Sequence, residues 1–316
     1  MEIPRKSLLR SLQGVAQATK IPELELEPVI QLVTACVANT ANAQGGTSES
    51  LSFDNWYSAV KNNSTNFDQS LAHIASLAVA VSFLSEKCRH DQPASEDELN
   101  QCWLIIRDAL TCKASSQTLF TAARSAQGFL SVPLCSLVKD GSIDELFRLH
   151  VWMPDGKRGN PDFPLHSHQP FAQSWILAGE GVDHSFTVEP VEDAAEATHA
   201  GYALAWNDGK GQNATYKTHQ SYSIVQNTGK LFKATETRSE LHVRGSSYSI
   251  PAAAFHASEV APDALHATLF FFNAHRGFVK DAGVLGPKDG ESFTQLRDPA
   301  GVTPSELAAA VEAARS

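Results

Sequence analysis

Residues 159–179 read GNPDFPLHSHQPFAQSWILAG, and the fold turns on how this stretch is read. Successive side chains of a strand alternate between its faces, so residues i and i+2 share one. His166 and His168 would therefore present two imidazoles side by side, with Ser167 turned away. Glycines stand at both ends, Gly159 before the pair and Gly179 beyond the apolar run that follows it. An isolated HxH pair also arises by chance as two hydrogen-bonded surface histidines, so its surroundings decide its meaning.

Outward from this stretch, residues 129–290 read as β structure. Short β-rich or alternating runs recur at Leu146–Trp152, Phe171–Leu177, Asp183–Val188, Gly201–Trp206, Tyr222–Val225, Lys230–Thr237, Leu241–Val243, Tyr248–Ile250 and Ala267–Asn273. Turn residues punctuate them at Pro154-Asp155-Gly156, Gly179-Glu180-Gly181, Asn207-Asp208-Gly209 and Asn227-Thr228-Gly229. Many short strands at this spacing predict a sandwich or jelly roll. Residues 1–128 read instead as helical. Ser7–Ala18, Pro28–Ala41 and Phe67–Lys87 carry apolar residues at helical spacing. Ser95 and Glu98 form a capping-box pattern opening a helix to about Thr111, and Ser115–Gln127 reads as one more. A second such pattern, Thr303 with Glu306, opens an Ala-rich helix near the C-terminus. The expected class is α+β: a helical region at 1–128 acting as lid or dimerisation surface, a β-barrel at 129–298, and a short helix at 299–316.

The chain has 316 residues, 42% hydrophobic and 19% charged, enough apolar content for a sizeable core. The net charge of −10 comes without a basic cluster, which argues against nucleic acid as partner. The longest apolar candidate, Leu71–Leu84, contains His73 and two serines and reads as too short to cross a bilayer. Met1–Leu12 lacks the apolar core and cleavage site of a signal peptide. The five cysteines, Cys36, Cys88, Cys102, Cys112 and Cys135, form no CxxC pattern and read as reduced thiols. Together these predict a cytoplasmic protein with no membrane partner.

Ten of the twelve histidines fall between His150 and His275, and no cysteine falls there. A metal in the β region would be held by imidazole nitrogens and oxygens without thiolate, which suits Fe, Ni, Cu, Mn or catalytic Zn. Downstream of the HxH pair stand Gly245 to Pro251 (GSSYSIP) and then His256. His242, His256 and His266 all stand where a third imidazole could join the pair. The sequence has no phosphate-binding glycine loop and no GxSxG nucleophile elbow.

This layout resembles the cupin superfamily. Its first motif runs from a Gly through HxH to a Glu and a further Gly; here Gln173 takes the Glu position, with Gly159 and Gly179 as the glycines. Its second motif runs from a Gly to a Pro and then a His, matched by Gly245, Pro251 and His256, while Asn273 stands too far along to match the motif's Asn. The resemblance covers about residues 145–275. It implies a double-stranded β-helix barrel in which His166, His168 and His256 bind one divalent metal, Fe(II) first, with Ni, Mn, Cu or Zn as alternatives. A three-His set is similar to that of the thiol dioxygenases, such as cysteine dioxygenase, although neither their substrate-binding Arg nor their Tyr–Cys pair has a match here. The resemblance implies a mononuclear non-haem oxygenase, a dioxygenase by type, taking dioxygen and a small or medium metal-chelating substrate. A redox-neutral isomerase, lyase or cyclase, and a non-catalytic ligand-binding barrel, are the alternatives.

Three further residues are candidates for the catalytic set. Gln173 is a neutral fourth ligand or a hydrogen-bond donor beside the metal. Arg148 shares a strand face with His150 and, if that face is the interior, binds a substrate carboxylate through its guanidinium fork; an exposed strand face is the rival. His184 lies on the next strand, where an ordinary face histidine is the rival. The run His275-Arg276-Gly277-Phe278 could add a cation near the barrel mouth. Trp152, Phe171, Trp175, Trp206, Phe270 and Phe272 read as core.

Overall fold

A computed structural model describes residues 1–44, 49–112, 119–206, 222–296 and 301–315. The chain divides into two compact units. The first comprises Met1–Thr121, Pro133–Leu137 and Thr303–Ala309; the second comprises Ala122–Val132, Val138–Val302 and Ala310–Ser316.

The first unit forms where the apolar spacing is helical. Its elements are β1 (Glu2–Pro4), α1 (Arg5–Thr19), α2 (Glu27–Gln44), β2 (Ser50–Ser52), α3 (Phe53–Asn62), α4 (Gln69–Arg89) and α5 (Glu96–Thr111). α4 is buried on almost every side, with Ile74, Leu77, Ala78, Val79, Ala80 and Leu84 inaccessible, and α1, α3 and α5 pack around it. It spans 21 residues, longer than the 71–84 stretch suggests, and is long and apolar enough to cross a bilayer; 78% of its apolar window is buried inside the protein. That burial fits a core helix. The capping box of α5 is present: the Ser95 hydroxyl accepts from the Glu98 amide at 3.2 Å and the Glu98 carboxylate accepts from the Ser95 amide at 2.8 Å. Such a cap stabilises a helix by about 1 kcal/mol. α3 escapes the sequence reading because its apolar face is short. Ser52 caps it, and Trp56 anchors it by donating its indole N–H to the Ile3 carbonyl at 3.0 Å.

The helix expected at Ser115–Gln127 is not found. Residues 113–118 lie outside the described residues, and the remainder holds only the two-residue strand β3 (Ala123–Arg124) and a turn at Gly128, whose φ is +89°.

Along the chain follow β4 (Leu130–Lys139), whose middle residues 133–137 belong to the first unit, and then, in the second unit, β5 (Ser142–Trp152), β6 (Pro170–Ala178), β7 (Glu180–Val191), β8 (His199–Trp206), β9 (Tyr222–Val243), β10 (Ser247–Ile250), β11 (Phe255–Glu259), β12 (His266–Phe278), β13 (Gly283–Gly286) and β14 (Phe293–Leu296). The helix α6 (Pro304–Arg315) follows, capped as the Thr303–Glu306 pattern predicts. One antiparallel sheet runs β10-β6-β12-β5-β4-β3 and the other β11-β7-β9-β8-β13, with β14 against β9. A further segment at His166 pairs with β11 and with β13 through isolated bridges. In chain order, β5, the His166 segment, β6, β7, β9, β10, β11 and β12 distribute themselves as β10-β6-β12-β5 on one sheet and His166-β11-β7-β9 on the other. That is the connectivity of an eight-stranded jelly roll, two Greek keys wound together. The α+β class with helices first, a double-stranded β-helix next and a helix last is therefore the one observed.

Two glycines of the motif stretches are required by the backbone. Gly179 joins β6 to β7 at φ +69°, and a Cβ there would stand 1.9 Å from the Leu265 carbonyl oxygen. Gly245 turns β9 into β10 at φ +80°. The tripeptide Asn227-Thr228-Gly229 reads as a turn in the sequence but lies inside β9, a single strand of 22 residues. Ala200 pairs with Leu231 and Tyr202 with Asn227, so the intervening residues bulge out, with Gly229 at φ +72°. A left-handed residue in a strand makes a bulge as readily as a turn. The Asn207-Asp208-Gly209 turn and the Trp206 side chain lie outside the described residues.

Gly179→Ala should destabilise the protein by at least about 1–2 kcal/mol from the left-handed backbone alone, with the carbonyl clash in addition. Urea unfolding measures it; a midpoint equal to wild type would contradict the assignment.

Candidate metal centre

The HxH segment is held by backbone bonds on both edges. The His166 amide donates to the His256 carbonyl at 3.0 Å, and the His256 amide donates to the His166 carbonyl at 2.9 Å. On the other edge the Ser167 amide donates to the Gly283 carbonyl at 2.9 Å, and the Leu285 amide to the Leu165 carbonyl at 2.8 Å. Ser167 turns away from the histidines, as strand alternation requires, and its hydroxyl accepts from the Gly283 amide at 3.0 Å. The reciprocal pair between residues 166 and 256 brings the two halves of the histidine set together.

The rings of His166, His168 and His256 form a triangle, with centroids 5.0, 4.5 and 4.9 Å apart. One nitrogen from each lies within 4.8 Å of the other two, and Nε2 of His256 is 3.5 Å from Nε2 of His168. Two tautomers follow from acceptors that cannot donate. His166 Nδ1 donates to the Pro164 carbonyl at 2.9 Å, and His256 Nδ1 donates to an Asp183 carboxylate oxygen at 2.8 Å. In its neutral form each ring then carries its lone pair on Nε2, toward the cluster. His168 Nδ1 is buried with no hydrogen-bond partner among the described residues. His256 is buried, while His166 and His168 are partly accessible.

Electrostatics favour neutral rings. Burial first, and then the neighbouring His256, push His166 down to about 3. Burial, His256, His166 and His150 push His168 well below the usual histidine range. Neutral imidazoles with converging lone pairs are the form that binds metal. The site thus fits a single divalent ion held by His166, His168 and His256.

Strand register places the other candidates. Across β5, β12 and β6, Leu146, Phe272 and Ala172 lie opposite one another, as do Arg148, Phe270 and Ser174. Phe270 and Phe272 face the cluster, 5.8 and 4.9 Å from the His168 ring. Arg148 is therefore on the inward face, and it is 8% exposed; the rival reading of an exposed strand face does not hold. His150 lies beside it, stacked between Phe129 at 4.0 Å and Phe270 at 4.8 Å.

Gln173 is not brought to the cluster. It pairs with Phe271 and Ser249 on the opposite face of β6, and its amide donates to the Tyr248 carbonyl at 2.9 Å. The inward neighbour is Ala172, so no carboxylate or amide from β6 joins the three rings. His184 is not brought there either. It sits between Glu236 at 2.9 Å and Glu259 at 3.3 Å, on the face of β7 opposite Asp183, and its hydrogen bond to Glu236 raises its pKa. Arg276 stacks on the Phe171 ring at 4.1 Å, on the outward face of β6.

His242 and His266, the alternatives for the third ligand, line a separate small recess with Trp152, Asp183, Tyr248 and Ser258. His242 stacks on Tyr248 at 4.1 Å. His266 packs against Trp152 at 5.3 Å, and burial, with His242 nearby, pushes it down to about 4. Asp183 is the residue sequence reading misses. It stands only as the first residue of an expected strand, and its inward aim becomes visible once Asp183 is seen opposite Ser258 and Ser185 opposite His256.

No protein-family model matches the chain, and no curated protein does. Among solved structures, an oxalate decarboxylase variant from Bacillus subtilis aligns at 11% identity with a TM-score of 0.24, over 51% of this chain and 30% of that one. Hydroxypropylphosphonic acid epoxidase from S. wedmorenis aligns at 12% and 0.27, over 70% and 96% of the two chains. The capsular polysaccharide assembling protein CapF from Staphylococcus aureus aligns at 10% and 0.26, over 72% and 45%. This chain thus spans under a third of the decarboxylase and under half of CapF. Likenesses this faint carry nothing about fold or activity, which rest here on connectivity and site geometry.

Two outcomes follow. His166→Ala and His256→Ala should each abolish uptake of Fe(II) or Zn(II) with the circular dichroism spectrum kept, whereas Gln173→Ala should leave metal content at the wild-type level; elemental analysis distinguishes them. Separately, the metal-free protein should melt at lower temperature at pH 5 than at pH 7.5. His166 at about 3 and His266 at about 4 take up protons near 6.5 only once unfolded, so the unfolded state binds more protons in that interval and stability falls as the pH is lowered. A melting temperature unchanged or raised at pH 5 would contradict the neutral-ring description.

Proposed function

We propose that this chain is a cupin-type mononuclear metal-dependent oxygenase, acting on a small or medium anionic substrate that chelates the metal. The observation that carries the reading is the convergence of three imidazole nitrogens, from His166, His168 and His256, with no carboxylate among them. Such a neutral set suits Fe(II), and the same nitrogens accept Ni, Mn, Cu or Zn. Ferrous iron there would supply open coordination positions and the electrons that ground-state dioxygen requires.

The chain's own residues supply the rest. Three neutral ligands leave a divalent ion's charge uncompensated in their own ring, so an anionic chelator is drawn to it. Arg148, buried on the inward face opposite Phe270, offers a fixed cation for a carboxylate. Phe270 and Phe272 form an apolar wall on one side of the cluster. His150, clamped between two phenyl rings, shapes that wall with little freedom to swing. Holding substrate against this wall beside the second reactant removes much of the entropic cost of their encounter.

The test is an oxygen-electrode screen of Fe(II)-reconstituted protein against small carboxylates bearing a thiol, enol or hydroxyl group. Oxygen uptake in proportion to product supports the reading. Turnover that continues unchanged without oxygen overturns it in favour of a redox-neutral isomerase, lyase or cyclase; a stoichiometric complex without product points to a binding barrel. With a carboxylate substrate in hand, Arg148→Gln should raise KM by about 10–100-fold, the value of a lost charge-assisted pair, and change kcat less.

A further inference from the structure

The three rings of the cluster are backed unequally. His166 Nδ1 donates to a neutral carbonyl, that of Pro164, at 2.9 Å. His168 Nδ1 has no hydrogen-bond partner among the described residues. His256 Nδ1 donates to the carboxylate of Asp183 at 2.8 Å, with both side chains buried. The same Asp183 oxygen accepts from the Ser258 hydroxyl at 3.3 Å. Among the described residues His256 and Ser258 are the partners of Asp183, and neither Lys nor Arg pairs with it. A buried carboxylate with no Lys or Arg beside it lacks a fixed countercharge, which burial makes costly. The countercharge within reach is the cation that the three Nε2 atoms would hold, one imidazole away.

We propose that Asp183 is a positioning residue for the metal: through the His256 Nδ1–H bond its charge fixes the orientation of that ring and makes it the strongest donor of the three. This rests on the metal reading given above. A carboxylate behind an imidazole strengthens it as a ligand, and loss of such a partner weakens metal binding by about 10–100-fold. The outer carboxylate also offsets one unit of the metal's charge while leaving coordination positions open. A carboxylate in the coordination shell would have filled one of them. The site therefore combines the charge of a two-His-one-carboxylate set with the ligand atoms of a three-His set. Substrates that add a single negative charge then neutralise it.

The test uses Co(II) as the probe, titrated into the metal-free full chain and read by its visible absorption. Asp183→Asn keeps an oxygen that accepts from His256 Nδ1 but removes the charge. It is expected to bind Co(II) at least 10-fold more weakly than wild type and to shift the d–d bands, while the metal-free variant melts at or above the wild-type temperature. If Asp183 only ties β7 to β11, the melting temperature falls and the Co(II) affinity and spectrum stay those of wild type; that result overturns the proposal. If wild type itself takes up no Co(II), the metal reading fails, and the proposal with it. Should Asp183→Asn not fold, Ser258→Ala serves instead. It removes the competing donor to Asp183, leaving more of the charge for His256, and should move the bands in the opposite direction with affinity equal or higher. Bands unchanged in Ser258→Ala would likewise overturn the proposal.

Discussion

The reciprocal pair of backbone hydrogen bonds between His166 and His256 is the constraint from which the rest of the second unit takes its meaning. Each histidine lies on a short segment, and neither segment alone could hold a ring still. The pair joins them edge to edge, and β13 clamps the far edge of the His166 segment. Side chains i and i+2 of one segment then face the same volume as His256 of the other. The jelly-roll connectivity is what makes this pair adjacent, since β6, β7, β9 and β10 must wind between them before the chain returns. The glycines at the corners of that winding serve the same end. Gly179 lets β6 pass from one sheet into β7 of the other where any side chain would strike the Leu265 carbonyl.

Around this pair the barrel interior is graded from apolar to polar. Phe270 and Phe272 form one wall of the histidine cluster, while Arg148 and His150 are buried beside that wall. Asp183, Ser258, Tyr248, His242 and His266 occupy the region behind His256. Burying this many ionisable groups is costly unless each is neutral or paired. The histidines meet that condition by staying neutral, and Asp183 meets it in part through hydrogen bonds. Burial and neighbouring histidines push His166, His168 and His266 toward the neutral form, and Asp183 is bonded to His256 and Ser258.

Much of this was legible in the sequence. Helical spacing located α1, α2 and α4, a capping box located α5, and alternation located most of the barrel strands. The HxH pair, the glycines and His256 pointed to the three rings that the structure brings together. What was not legible depends on register. A one-residue difference in phase moves a side chain to the other face of a sheet, so Gln173 stands in the expected place along the chain while Ala172 occupies the inward position. His184 and Asp183 are neighbours in sequence and lie on opposite faces for the same reason, and only Asp183 meets His256. Local signals also misread Asn227-Thr228-Gly229, because a left-handed glycine serves a bulge as well as a turn. Ser115–Gln127 carried helical composition without tertiary support for a helix in its described part.

The central claim is that three imidazoles from two non-adjacent segments hold one divalent ion. X-ray absorption at the metal edge of the Fe(II)-reconstituted full chain tests it most directly. The account predicts one iron per chain, a shell of nitrogen and oxygen at about 2.0–2.2 Å, and outer-shell scattering that fits three imidazole rings. A chain that binds no iron, or iron whose outer shell lacks imidazole scattering, would contradict it.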